Sequence, residues 1–94
     1  MRCYFLVQTQ PGFASDITDF ARRMTAVTWA DLITGSYDVL VLADGERRDL
    51  ANASAVLRMC EGVQRVLVCT PGYGAPEELT PGLTLEEVGA PAQR

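Results

Sequence analysis

Four consecutive residues in the stretch "ITGSYDVLVLAD" (33–44) carry the chemistry that stands out in this chain: Gly35, Ser36, Tyr37 and Asp38. They place a carboxylate, a phenol, a small hydroxyl and a side-chain-free stretch of backbone at the mouth of an aliphatic run. A small zwitterion suits such a place. Its ammonium pairs with Asp38, and its carboxylate meets backbone N–H groups around the glycine. The same four residues also suit a plain turn, with Asp38 answered by an arginine of a second copy, because Gly, Ser and Asp dominate turns.

Other chemistries lack their tools. The 94 residues include no histidine, which removes the usual general base, the usual zinc ligand and every Ser-His or Cys-His nucleophile pair. Cys3, Cys60 and Cys69 form no C-x-x-C and are odd in number, so they read as reduced, buried thiols. No glycine-rich phosphate loop and no metal-ligand spacing is present. The expectation is a binding module rather than an enzyme, with no cofactor and no metal.

Charge narrows the partners. Eight basic residues, all arginine, stand against 12 acidic ones, for a net charge of −4. A nucleic-acid binder needs a basic stripe to neutralise phosphates, and these arginines are single or in the pairs Arg22-Arg23 and Arg47-Arg48. Direct contact with DNA or RNA is not expected. The longest apolar run, "VLVLA" (39–43), is far short of a membrane span. "MRCYFLVQTQPG" has no cleavage site after a proper apolar region, so the cytoplasm is the expected compartment.

The elements that must position the four residues follow from periodicity. "RCYFLVQT" (2–9) alternates as a first strand, and "QPG" (10–12) is a turn. Ser15 or Asp16 is expected to cap a helix with Ile17, Phe20, Ala21 and Met24 on one face. "AVTWADLIT" (26–34) and "YDVLVLA" (37–43) are two strands, joined by Gly35-Ser36 as a two-residue type II′ hairpin. A polar loop, 44–49, leads to a helix over 50–60 with Leu50, Ala53, Leu57 and Cys60 inward, closed by Gly62. "VQRVLVCT" (63–70) is the fourth strand. The order β-α-β-β-α-β over 1–70 is the α+β, ferredoxin-like pattern, with both helices on one face of an antiparallel sheet. Residues 71–94 hold four of the five prolines and half the glycines and read as a C-terminal extension. Within it, "TLEEV" (84–88) suits either a capped helical turn or an edge strand.

The hairpin register has a consequence. With Gly35-Ser36 as the loop, one face carries Thr28, Ala30, Leu32, Val39, Val41 and Ala43. The other carries Val27, Trp29, Asp31, Ile33, Asp38, Leu40 and Leu42. Both are largely apolar, yet the helices cover only one, so a second copy of the chain is expected to cover the other. Asp31 and Asp38 then fall in that interface and need partners there.

These residues resemble a known family. "VTWADLITGSYDVLVLADGE" (27–46) is similar to the second hairpin of the effector-binding domain of the leucine-responsive regulatory protein/AsnC family, with its Gly-x-Tyr-Asp element. "PGF" (11–13) and "CEGVQRV" (60–66) also look like that domain. The resemblance covers about residues 1–70. It implies a dimeric α+β barrel, higher even oligomers, and an amino-acid-like effector bound between subunits. The implied ligand residues are Gly35, Tyr37 and Asp38, with Ser36 in the variable slot. It further implies a role in transcription regulation. This chain starts at the first strand, without the family's helix-turn-helix, and so looks like a stand-alone effector domain. On the fourth strand, where relatives carry threonines, "QRVLVC" (64–69) has Gln64 and Arg65 and no hydroxyl before Thr70.

Two rival functions use similar barrels. A cofactor-less monooxygenase would recruit Trp29, Asn52, Tyr4 and arginines around a flat phenolic substrate. An interaction subunit would co-assemble with full-length regulators. Turnover of a phenol separates the first, and capture of a full-length regulator the second.

Overall fold

A computed structural model describes residues 1–70, in the order β1 (Arg2–Thr9), α1 (Ala14–Arg22), β2 (Val27–Leu32), β3 (Val39–Asp44), α2 (Arg47–Met59) and β4 (Val63–Cys69). The expectations for 71–94, its character as an extension and the element at 84–88, lie outside the described residues. The four strands form one antiparallel sheet in the order β2-β3-β1-β4, and both helices pack on one face of it. This is the α+β, ferredoxin-like arrangement expected from the element order.

Strand alternation builds the core. On β1, Cys3, Phe5, Val7 and Thr9 are buried under the helices while Tyr4, Leu6 and Gln8 face the other way. Val39, Val41 and Ala43 of β3 and Ala30 of β2 join them, and α1 and α2 close the layer with Ile17, Ala21, Leu50, Ala53 and Leu57. Two buried helix hydroxyls escaped the apolar stripes. Thr18 on α1 returns its hydroxyl to the Ala14 carbonyl at 2.8 Å, whereas Ser54 on α2 finds no partner among the described residues.

Local chemistry moved several boundaries. The Pro11-Gly12 turn closes when Phe13 N–H donates to the Gln10 carbonyl (3.2 Å), so α1 enters at Phe13 and neither Ser15 nor Asp16 caps it. Phe13 lies against Gly62, where an added Cβ would stand 2.2 Å from the ring; Gly62 also sits at φ +90. α2 starts three residues earlier than its apolar stripe, because Glu46 N–H donates to Asp49 Oδ2 (3.0 Å) and reaches into the supposed loop. A bulge between Val27 and Trp29 pairs Val27 with Ala43. Val27 therefore packs on the core and Thr28 is exposed, reversing their expected faces. From Trp29 to Leu32 the expected register holds, with Leu32 opposite Val39.

No disulfide joins the cysteines; Cys3 and Cys69 are buried and Cys60 half-buried. Among the described residues no helix is long and apolar enough to cross a membrane.

Candidate functional site

The β2–β3 connection is longer than the two-residue turn expected. Residues 33–38 lie outside the strands, and the loop closes when Ile33 N–H donates to the Asp38 carbonyl at 2.9 Å. Thr34 and Tyr37 do not form the innermost strand pair. The reason is what Asp38 does. Its N–H donates to the Val7 carbonyl (2.8 Å), and its Oδ2 accepts from Thr9 N–H (2.7 Å) and Thr9 Oγ (3.2 Å). Gln8 Nε2 reaches the Ser36 carbonyl at 3.4 Å. The mouth is thus sewn to the end of β1, beside a register shift between Gln8 and Thr9 where β1 meets β4. Bulges of this kind re-aim side chains near sites.

The structure brings Gly35, Ser36, Tyr37 and Asp38 together on this loop, Gly35 and Ser36 exposed and Tyr37 and Asp38 half-buried. Gly35 has φ +123, and a Cβ built on it would meet nothing within 4 Å. Its conformation calls for glycine; its surroundings are open. The N–H groups of Gly35, Ser36 and Tyr37 and the Asp38 Oδ1 make no hydrogen bond within the described chain. Open donors and one open carboxylate oxygen therefore share one lip.

The second expected carboxylate is not part of this group. Asp31 Oδ1 takes the Leu32 N–H at 2.8 Å and pairs with Arg22 at 3.4 Å, and Arg22 Nε also bonds the Ala30 carbonyl at 2.9 Å. Arg22 covers the β2 edge and answers Asp31 within the chain, so Asp31 needs no interfacial partner. Asp38 likewise has Thr9. Sequence reasoning missed Thr9 and Gln8, which lie nearly thirty residues away in the chain. Only the β1–β3 pairing, with Val7 opposite Val39, brings them beside Asp38.

Behind the lip, the sheet face away from the helices carries Tyr4, Leu6, Leu40, Leu42 and Leu67, all half-buried, with Trp29 at 47% exposure. No described helix covers it. A cavity of about 400 Å³ lies on the opposite face between α2 and the β1–β4 pair, and another of about 340 Å³ lies between the start of β2 and α2. Neither touches 35–38. No cluster of three or more potential metal-binding side chains occurs among the described residues.

No family model matches the chain, and no curated protein does. Solved structures do match, at identities that speak for the fold. A hypothetical protein, PHS023 from Pyrococcus horikoshii, superposes with TM-score 0.66 at 20% identity, over 71% of this chain and 83% of its own. FFRP-DM1, a feast/famine regulatory protein, gives 0.67 at 20%, over 71% and 92%. TTHA0845 from Thermus thermophilus gives 0.67 at 18%, over 79% and 98%. What these likenesses show is a shared fold, the α+β ferredoxin-like arrangement.

Proposed function

We propose that this chain is a small-molecule effector-binding and oligomerisation module related to transcriptional regulators of the Lrp/AsnC kind. In this reading it pairs with a copy of itself across the open sheet face and takes an amino-acid-like ligand at the 35–38 lip. The carrying observation is that face: an apolar surface of Tyr4, Leu6, Leu40, Leu42 and Leu67, edged by Trp29, with no helix over it among the described residues. Half of a sheet sandwich left in water is costly at about 25 cal/mol per Å² of apolar area, and a second sheet removes that cost. The fold shared with FFRP-DM1 supports the same reading.

At the lip the chemistry matches a zwitterion. Asp38 Oδ1 accepts the ammonium while Oδ2 keeps its Thr9 bonds, so binding and structure do not compete for one oxygen. The open N–H groups from Gly35 to Tyr37 receive the carboxylate. Tyr37 lines the wall, and Ser36 adds a hydroxyl. A charge-assisted bond of this type contributes about 1.5–3 kcal/mol, or about tenfold or more in affinity.

The ligand reading is tested by a calorimetric screen of the common amino acids on the full chain, followed by Asp38→Asn on any hit. The expected result is a hit tighter than about 1 mM that weakens at least about tenfold in the variant. A hit that ignores Asp38→Asn places the ligand elsewhere. No hit leaves the sheet face as the chain's working surface and the module as an assembly subunit.

A further inference from the structure

The cavity between α2 and the β1–β4 pair is unexplained by the proposed lip site, and it holds a polar group with nothing to do. Ser54 is 5% exposed, lines this cavity, and its hydroxyl has no hydrogen-bond partner among the described residues. A helix serine ordinarily returns its hydroxyl to the carbonyl four residues back, as Thr18 does on α1. Ser54 does not, and native structures rarely leave such a group without a protein, water or ligand partner.

The surroundings say which molecule. Cys3, Phe5, Leu50 and Val68 make an apolar wall. Arg58, one helical turn beyond Ser54 and hence on the same face of α2, spends one donor on the Val66 carbonyl at a long 3.4 Å. A guanidinium has five donors, so four remain. Arg47 lines the other end of the same cavity, in the first turn of α2, where the helix dipole disfavours a cation. Neither arginine has a carboxylate partner among the described residues. A volume of about 400 Å³ is within the range of small-ligand sites.

We propose that this cleft binds a small carboxylate with an apolar body, its carboxylate held by Arg58 and the Ser54 hydroxyl and its body laid along Phe5, Leu50 and Val68. Arg47, the other cation of the lining, adds to the positive field that attracts the anion. The site lies within one protomer and is independent of the lip at 35–38.

The test is an NMR titration of the ¹⁵N-labelled full chain with sodium octanoate, with octylammonium and acetate as controls for charge and for the apolar body. Octanoate should give saturable shifts at the Leu50, Ser54, Arg58 and Val68 amides, with a Kd below about 1 mM, and neither control should saturate. Arg58→Gln should weaken octanoate about tenfold, while Asp38→Asn should leave it unchanged, which separates this site from the lip. Ser54→Ala should weaken it severalfold. If Ser54→Ala raises the thermal midpoint without touching octanoate affinity, the hydroxyl is only a packing defect and the proposal fails. Equal response to octylammonium, or shifts confined to the Leu40–Leu42 face, also overturns it. Glu77, Glu78, Glu86 and Glu87 supply a rival acidic occupant within the chain. If changing all four to Gln tightens octanoate severalfold, that segment occupies the cleft and the small-molecule assignment is wrong.

Discussion

Replacing Asp38 with alanine removes the acceptor that ties the β2–β3 loop to the end of β1. Two bonds go: Thr9 N–H at 2.7 Å and Thr9 Oγ at 3.2 Å. They differ in weight. Thr9 is 8% exposed, so its N–H loses a charged partner with little water to replace it, a cost of about 1.5–3 kcal/mol. The hydroxyl can rotate, and its longer bond adds about 0.5 kcal/mol. Asp38→Ala should therefore destabilise the fold by about 2–3 kcal/mol. Asp38→Asn keeps an acceptor oxygen and should cost about 1 kcal/mol or less. Thr9→Val, which leaves the N–H bond, should cost about 0.5–1.5 kcal/mol and be less than additive with Asp38→Ala. Urea unfolding at fixed protein concentration reads these as midpoint shifts at unchanged slope, about 1–2 M for the alanine variant. If Asp38→Ala stays within about 0.5 kcal/mol of the parent, the tie to β1 is not made in solution. If Asn costs as much as Ala, the negative charge matters and the acceptor geometry does not.

Leu40→Glu puts a charge into the open sheet face and should convert the proposed dimer to a folded monomer, seen by light scattering with circular dichroism retained; an unchanged mass would show that this face is not the interface. Gly62→Ala meets both a positive φ and the Phe13 ring and should lose about 2–4 kcal/mol in thermal or urea unfolding, whereas a neutral outcome would mean the two loops do not pack as described. Burial pushes the Cys60 thiol up, so the fold favours its protonated form. That contribution is complete at neutral pH and is lost as pH rises through the raised pKa. The alkylation rate of Cys60 should accordingly climb at higher pH in the native chain than in urea, and coincident profiles would contradict this. The purified chain should give no sequence-selective gel shift that survives physiological salt, given its net charge of −4.

The element order and the core were legible because β1 and β3 alternate in burial and each helix repeats its apolar stripe. Cys3, Phe5 and Val7 are inward by parity, and Leu50, Ala53 and Leu57 by helical period. Parity carried the hairpin register from Leu32 to Trp29 and failed at the bulge, since an extra residue leaves no mark in "AVTWAD". The helix starts were misplaced for a related reason. Ser15 and Asp16 are good caps in type, but the Pro11-Gly12 turn had already committed the chain at Phe13. At the candidate site the residue types were visible and their bonds were not. Asp38 meets Thr9 through a pairing set by the whole sheet, and nothing local in "TGSYD" points to β1. Asp31 was likewise assigned to an interface because Arg22, nine residues before it, is brought over the strand edge only by the packing of α1.

Native mass spectrometry of the full chain, sprayed with and without a millimolar mixture of the common amino acids, tests the central proposal most directly. The expected ions stand at even multiples of the 10.2 kDa chain, with added mass matching an amino acid that disappears in Asp38→Asn. A spectrum dominated by the bare 10.2 kDa monomer at micromolar concentration would contradict it. So would an even oligomer that takes up amino acids equally well without the Asp38 carboxylate.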